Sequence, residues 1–359
     1  MIVKILKKKE MNKMKKFKKS PPTKYNQTKQ SSRISDYMDL NQRYQDDLNK
    51  RVKDVDQTWY RDKYTTKNNG SIRVWFTNPC GLSINPHKLK NHNSLYFLRY
   101  KSRCDYFGLA ETNVNWHKMK GSATLYYRVK YYWKRFKTVT AHNTHANHGV
   151  TQRGGNRAAT MGQLAHRVTK VGKDKTMLGR WVWIEYQGKL VMRTRIYTAY
   201  RPGRKPPQSS KKTTVYHQQD RYMRANNIKG DPHTMFDQNL QDELELLINE
   251  CNIILMLDTN EDIENGNFNK SMLSIGMKNS ILTRVQQPMP ATHHRGSRPI
   301  STIYHSNGLK VVRAGILPTG IGVHGDHRNI YADFDQKSFL GDPMFMVATL
   351  FHRLITCPV

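Results

Sequence analysis

The sequence predicts an α/β protein whose sheets are mixed rather than doubly wound and parallel. Three observations predict it. A strand, a helix and a second strand follow one another between Ile72 and Ala110, a β-α-β start. Residues Arg180 to Tyr200, RWVWIEYQGKLVMRTRIYTAY, are two alternating runs joined at Gln187, Gly188 and Lys189, which is a hairpin. An amphipathic helix, Phe236 to Cys251, runs straight into the apolar strand Ile253 to Leu257. There is no internal repeat, no GxGxxG and no GxxxxGKS/T phosphate loop.

In chain order, residues 1–35 are rich in Lys, Ser and Pro and poor in large apolar groups, which predicts a disordered basic tail. Residues 36–70 form a polar helical segment, with Tyr37, Leu40, Tyr44, Leu48 and Val52 at roughly helical spacing, closed by a turn at Lys67 to Ser71. The main domain spans 71–335, and 336–359 reads as a C-terminal tail. Inside the domain, Ile72–Phe76 is a strand, Leu89–Tyr100 a helix with Leu95, Phe97 and Leu98 on it, and Tyr106–Ala110 a strand. The stretch Tyr126–Lys137, YYRVKYYWKRFK, has two readings: an aromatic and basic groove for a nucleic-acid strand, or a half-buried β-strand with a solvated face. Ser301–His305 and Asn329–Phe334 are strand-like.

Composition narrows the partners. The 359 residues carry 60 Lys+Arg against 27 Asp+Glu, a formal net charge of +33, which repels itself unless a polyanion is near. Nucleic acid is the partner this charge fits. No apolar run approaches the roughly 18–20 residues of a membrane span. Cys80, Cys104, Cys251 and Cys357 are scattered, so neither a zinc site nor a disulfide framework is indicated, as suits a reducing compartment. The start, MIVKILKKKEMNKMKKFKK, has too short an apolar stretch for a signal peptide. An intracellular location follows, with the lysines read either as a nuclear-import or backbone-binding tail or as a solvated one.

The polar residues that follow the strands carry the chemistry. IRVWF is followed by Asn78, YFGLA by Glu111, RIYTA by Tyr200, and IILML by Asp258 and Asn260; Asp326 and His327 precede the last strand. Each alone has an ordinary use, such as a turn or a helix cap. Together, five strands deliver hydrogen-bonding and titratable groups to their ends, where a packed sheet holds side chains rigidly in one cleft.

The ordered set resembles the endonuclease/exonuclease/phosphatase superfamily, the deoxyribonuclease I-like fold of apurinic endonucleases and of LINE-type retrotransposon endonucleases. The matching motifs are Asn78-Pro-Cys-Gly81-Leu82, Glu111-Thr112, Tyr200-Arg-Pro202, Asp258-Thr-Asn260, Ser297-Arg298-Pro-Ile-Ser301 and Asp326-His327, between Ile72 and Asp335. Gly154-Gly155, Leu178 to Trp181 and Thr198 to Pro202 look like the variant found in large mobile-element-like proteins.

The resemblance implies a four-layer α-β-β-α sandwich and Mg²⁺- or Mn²⁺-dependent phosphodiester hydrolysis. Glu111 and Asn78 resemble the metal-holding groups, with Asp326 a further metal-side or orienting carboxylate. His327 resembles the base, Asp258 the group that positions the nucleophile or protonates the leaving oxygen, and Asn260 and Tyr200 the phosphate's hydrogen-bond donors. Arg201, Arg298 and Arg328 are expected to contact nucleic acid. One position departs from the pattern: Ser301 stands where the family has the Asp that orients the histidine. A hydroxyl can orient an imidazole but cannot neutralise it, and in unrelated triads loss of that carboxylate costs about 10⁴-fold in rate. Several outcomes stay open: an endonuclease that is slow, or one that uses another acid such as Asp333 or Asp335; a decayed, nucleic-acid-binding remnant; and a phosphatase on small or lipid phosphates.

Overall fold

The computed structural model describes residue 42 and residues 59–85, 87–145, 149–203, 213–284 and 288–341. All but Gln42, which is helical, fall in the unit spanning residues 47–359. The basic tail and most of the helical segment expected over 36–70 lie outside the described residues.

The first half of the domain contains β1 (Tyr60–Arg61), β2 (Ser71–Thr77), α1 (Leu89–Tyr96), β3 (Tyr106–Leu109), α2 (Leu125–Lys130), β4 (Phe136–Ala141), β5 (Asn156–Met161) and β6 (Val168–Lys173). The hairpin β7 (Trp181–Gln187) and β8 (Arg193–Tyr200) follows, then α3 (Val215–Ala225), α4 (Pro232–Glu245), β9 (Asn252–Asp258) and α5 (Asn267–Ser274). The chain closes with β10 (Met277–Asn279), β11 (Ser301–Ser306), β12 (Val311–Ile316), β13 (Ile330–Asp335) and α6 (Gln336–Leu340). One sheet has the order β1-β12-β13-β2-β3-β5-β4 and the other β10-β11-β9-β8-β7-β6.

The two sheets share one apolar cluster. Val74, Phe76, Ala158 and Ala332 from the first meet Ile184, Ile196, Ile254 and Ile303 from the second. A hydrogen bond of 3.0 Å between the Tyr106 and Thr198 hydroxyls crosses the same layer. Gly108 marks the closest approach, since a Cβ there would overlap the Thr198 hydroxyl and the Met256 methyl. Outside the second sheet, Phe236, Leu240 and Leu244 of α4 and Phe268 and Met272 of α5 cover Tyr197, Leu255 and Leu257. Outside the first, Phe97 in the π-turn after α1 packs edge-on against Trp75 at 5.1 Å. The result is the helix-sheet-sheet-helix sandwich expected from the sequence. No helix among the described residues is long and apolar enough to cross a membrane.

Several boundaries differ from expectation. Tyr126–Lys130 is helical, not a strand; β4 begins only at Phe136. Leu125 and Val129 point inward while Tyr126, Tyr127 and Lys130 are exposed, a helical period that overrides the local alternation. The helix expected from Phe236 starts earlier, at Pro232, where Pro occupies the first turn and Asp231 accepts hydrogen bonds from the backbone N–H of His233 at 2.7 Å and Thr234 at 3.2 Å. Tyr60 and Arg61, expected to be helical, pair as a strand with β12. Ordered structure also passes residue 335: α6 buries Phe339 and Leu340 in the inter-sheet cluster.

The pairing directions decide where the loops go. β2–β3 and β8–β9 are the parallel pairs, so Thr77 lies beside Leu109 and Tyr200 beside Asp258, and both pairs end at one edge. Their antiparallel neighbours begin there: Ser301, at the start of β11, is opposite Asp258, and Ile330, at the start of β13, is opposite Phe76. Six strand termini therefore share one rim.

Arg73 and Asp333 sit directly opposite one another in the β2–β13 ladder, joined by two hydrogen bonds of 2.7 Å, with side chains 0% and 1% exposed. The guanidinium also donates to the Thr65 and Ser102 carbonyls. Removing one partner leaves a buried charge uncompensated, which typically costs about 3–5 kcal/mol. Asp333→Asn is therefore expected to lower the urea-unfolding free energy by about that amount; a loss under ~1 kcal/mol would contradict this account of the pair.

Candidate active site

The rim gathers most of the residues singled out from the sequence. Asn78 leaves β2 fully buried, and its Nδ2 donates to Glu111 Oε2 at 3.0 Å and to Asp258 Oδ2 at 2.7 Å. Its Oδ1 accepts the Cys80 backbone N–H at 2.7 Å. Asn78 thus bridges two carboxylates with its amide N–H groups, and its carbonyl, expected from the sequence to help hold a metal, accepts one N–H of the turn and keeps a second lone pair. Glu111 has φ +44° and Asn260 φ +52°, the left-handed region, which for residues other than Gly stores of order 1–3 kcal/mol and gathers at functional sites. The Leu82 N–H donates to the Thr112 carbonyl at 2.9 Å, tying the Asn78 turn to the Glu111 turn.

His327 precedes β13 and is 6% exposed. Its Nδ1 lies 3.2 Å from Ser301 Oγ, the position expected to orient it. Its Nε2 is 3.8 Å from Asp258 Oδ2 and 4.0 Å from Asp326 Oδ1. Neither Asp333 nor Asp335 takes the missing acid's place: Asp333 is committed to Arg73, and Asp335 caps α6 by accepting the Ser338 N–H at 3.1 Å.

Burial pushes the Glu111 carboxyl upward; the Asn78 hydrogen bond opposes this, and the Asp258 charge adds to it. Burial, then the negative charges of Glu111 and Asp258, push the Tyr200 hydroxyl well above its ordinary value. Asn260 donates one amide N–H to the Arg201 carbonyl at 2.7 Å, and its backbone N–H donates to Asp258 Oδ1 at 3.3 Å.

One of the three arginines expected to contact nucleic acid, Arg201, is committed elsewhere. Arg201 is buried and forms a double ion pair with Asp237, 2.7 Å on each side, with a further contact to Glu261 at 3.1 Å. Arg328 is buried, with Nε 3.4 Å from Thr319 Oγ1. Arg201 is a structural cation, because a guanidinium held bidentate inside the fold is not available to a phosphate. Arg298 is exposed.

Sequence reading missed His293. It pairs with His327 in a β-bridge, with ring centroids 4.9 Å apart, and its Nε2 lies 3.4 Å from Asp326 Oδ2. Two backbone bonds, Arg328 N–H to Thr292 O at 2.7 Å and His294 N–H to Asp326 O at 2.9 Å, lash this loop to the Asp326-His327 turn. The signal available was the pair His293-His294, which has no period or motif to mark it.

The donor set fits a hard divalent cation. Glu111, Asp258 and Asp326 converge with no lysine or arginine ion-paired to any of them among the described residues, and Asp326 Oδ1 is buried without a hydrogen-bond partner. Oxygen donors with uncompensated charge suit Mg²⁺ or Mn²⁺. His293, Asp326 and His327 also bring donor atoms within 4.8 Å of one another.

No family model matches the sequence, and no curated protein matches it. Solved structures do match in shape. The AP endonuclease from Leishmania major superposes with a TM-score of 0.58 at 13% identity, covering 81% of this chain and 98% of its own. The chain shares the fold of that AP endonuclease. An AP endonuclease from Archaeoglobus fulgidus (TM-score 0.51, 14% identity, 74% of this chain and 99% of its own) shares it. So does the human Nocturnin catalytic domain, solved with a bound sulfate anion (TM-score 0.50, 14% identity, 76% and 96%).

The raised Glu111 carboxyl makes a pH prediction. A carboxyl whose folded pKa exceeds its unfolded one binds more protons when folded, so stability is lost as pH rises from about 4.3. In EDTA, Glu111→Gln is expected to melt at or above the wild-type temperature at pH 7, the gap closing towards pH 4. A variant that is less stable at pH 7 than at pH 4, relative to wild type, would contradict the assignment.

Proposed function

We propose that this chain is a metal-dependent phosphodiesterase acting on nucleic acid, most simply an endonuclease that nicks DNA. The observation that carries the reading is the meeting of Asn78, Glu111, Asp258 and His327, from four separate strand ends, within contacts of 2.7–3.8 Å. The net charge of +33 favours a polyanionic substrate over a small phosphate or a lipid headgroup. Two of the similar folds are AP endonucleases, which supports the same class. The mobile-element affinity of the motifs around Gly154 and Leu178 makes a nick for element insertion the natural setting.

A divalent ion held by Glu111 and Asp326 would supply positive charge to the phosphoryl oxygens and the departing alkoxide. The rest falls to the protein's own groups. Ser301 Oγ accepts the Nδ1–H of His327, which leaves Nε2 with its lone pair to take the proton of the attacking water. The imidazolium so formed has Asp258 Oδ2 at 3.8 Å and Asp326 Oδ1 at 4.0 Å, charge that Ser301 cannot supply. Asp258 positions the water. Tyr200 keeps its proton through neutral pH and donates it, with the second amide N–H of Asn260, to the phosphate.

Ser301 also supports a second reading, a nucleic-acid-binding remnant without catalysis. A supercoiled plasmid separates the two. Wild-type protein with Mg²⁺ is expected to yield open circles, with Glu111→Ala and His327→Ala each slowing nicking by about 10²-fold or more. Ser301→Asp is expected to speed it by about tenfold or more. Nicking that survives both alanine changes would sink the enzymatic reading.

A further inference from the structure

Between Glu111 and Asp174 the chain has no Asp or Glu and twelve Lys and Arg. Within this acid-free segment Lys118, Lys120, Lys130, Lys134, Arg135 and Lys137 are exposed. Three tyrosines of the same short region, Tyr126, Tyr127 and Tyr131, are 49%, 51% and 56% exposed. Aromatic rings this exposed are normally scattered singly; here three stand together among cations.

The rings are held in place. Tyr126 meets Tyr127 edge-on at 5.4 Å and leans on Phe136 at 5.1 Å, and Lys130 Nζ lies 5.9 Å from both tyrosine centroids. Beneath them α2 is pinned by Arg128, which is buried and donates to the carbonyls of Ala123, Ser83 and Ile84, each at 2.8 Å. Ser83 and Ile84 continue the turn that begins at Asn78. Arg128 also lies 5.9 Å from the Trp116 ring, on the loop that begins at Glu111. The tyrosine face is therefore fixed to the two loops that build the catalytic rim.

Lysines alone are enough to hold duplex backbone, because phosphate contacts are indifferent to what the bases do. Exposed tyrosine faces add affinity only for bases free to stack, and every base has such a face. We propose that the Tyr126/Tyr127/Tyr131 face, flanked by Lys130, Lys134 and Lys137, binds unpaired nucleotides of a single-stranded or melted segment next to the scissile phosphate. This deepens the phosphodiesterase reading and rests on it for the substrate's identity, but the binding can be measured without cleavage.

The test is fluorescence anisotropy in EDTA across a salt series, with a labelled twelve-nucleotide oligothymidine and a blunt twelve-base-pair duplex. Replacing Tyr126, Tyr127 and Tyr131 by Ala is expected to weaken oligothymidine binding by about tenfold or more, leaving duplex affinity and the salt slope as in wild type. The three-Phe variant keeps the stacking faces and is expected to bind within about twofold of wild type, which separates stacking from misfolding. Lys130, Lys134 and Lys137 changed to Ala are expected to reduce the single-strand salt slope by about 2. Equal loss for both ligands, no loss for oligothymidine, or tyrosine-dependent sedimentation with phosphatidylserine vesicles in place of oligonucleotide binding would overturn the proposal. Tyrosine-dependent oligothymidine binding by a protein that nicks no plasmid supports the face and counts against catalysis alone.

Discussion

One amide holds the site together. The Asn78 side chain donates to Glu111 at one carboxylate oxygen and to Asp258 at another, and those two acids come from different sheets. Buried carboxylates repel and raise one another's pKa, so they stay adjacent only when something neutral and rigid stands between them or a cation joins them. Asn78 does the first, and it can because it is itself clamped through the Cys80 N–H. The sandwich supplies the precondition: parallel pairing of β2 with β3 and of β8 with β9 sends Asn78, Glu111, Tyr200 and Asp258 to the same rim.

From that constraint the electrostatics follow. Among the described residues no lysine or arginine is ion-paired to Glu111, Asp258 or Asp326, and the segment from 112 to 173 that follows Glu111 is wholly free of acids. Three of the buried arginines are neutralised pairwise, Arg73 by Asp333, Arg180 by Asp174 and Arg201 by Asp237, whereas Arg128 spends its guanidinium on backbone carbonyls. Ser301 fits this economy. With Asp258 and Asp326 already close to His327 Nε2, the imidazolium has negative neighbours on the substrate side, in place of one behind the ring.

Much of this was legible in the sequence, for identifiable reasons. The strands Ile72–Phe76, Tyr106–Ala110 and Ile253–Leu257 and the hairpin around Gly188 are dense in β-branched and aromatic residues, and burial on both faces writes them as continuous apolar runs. Asn78, Glu111, Tyr200 and Asp258 stood out because each follows such a run, and Asp326 and His327 because they precede one. What escaped was non-local or small. β5, NRAATM, is fully buried yet built largely of small side chains, because it sits against large aromatics; β6 is mostly exposed and carries little apolar signal. The α2 helix was obscured by a tyrosine-rich text whose alternation mimics a strand. Arg201 read as a substrate contact because its acidic partner, Asp237, lies 36 residues further on, and His293 reaches His327 only through a loop closed by backbone hydrogen bonds.

The central claim is that Glu111 and Asp326 complete a divalent-cation site that the Asn78 bridge preorganises. Mn²⁺ titration followed by electron paramagnetic resonance measures free ion directly and needs no substrate. The account predicts one saturable Mn²⁺ site in the wild-type protein, displaced by excess Mg²⁺ and lost in the Glu111→Ala, Asp326→Ala double variant. Undiminished Mn²⁺ uptake by that variant, or none by the wild type, would contradict it.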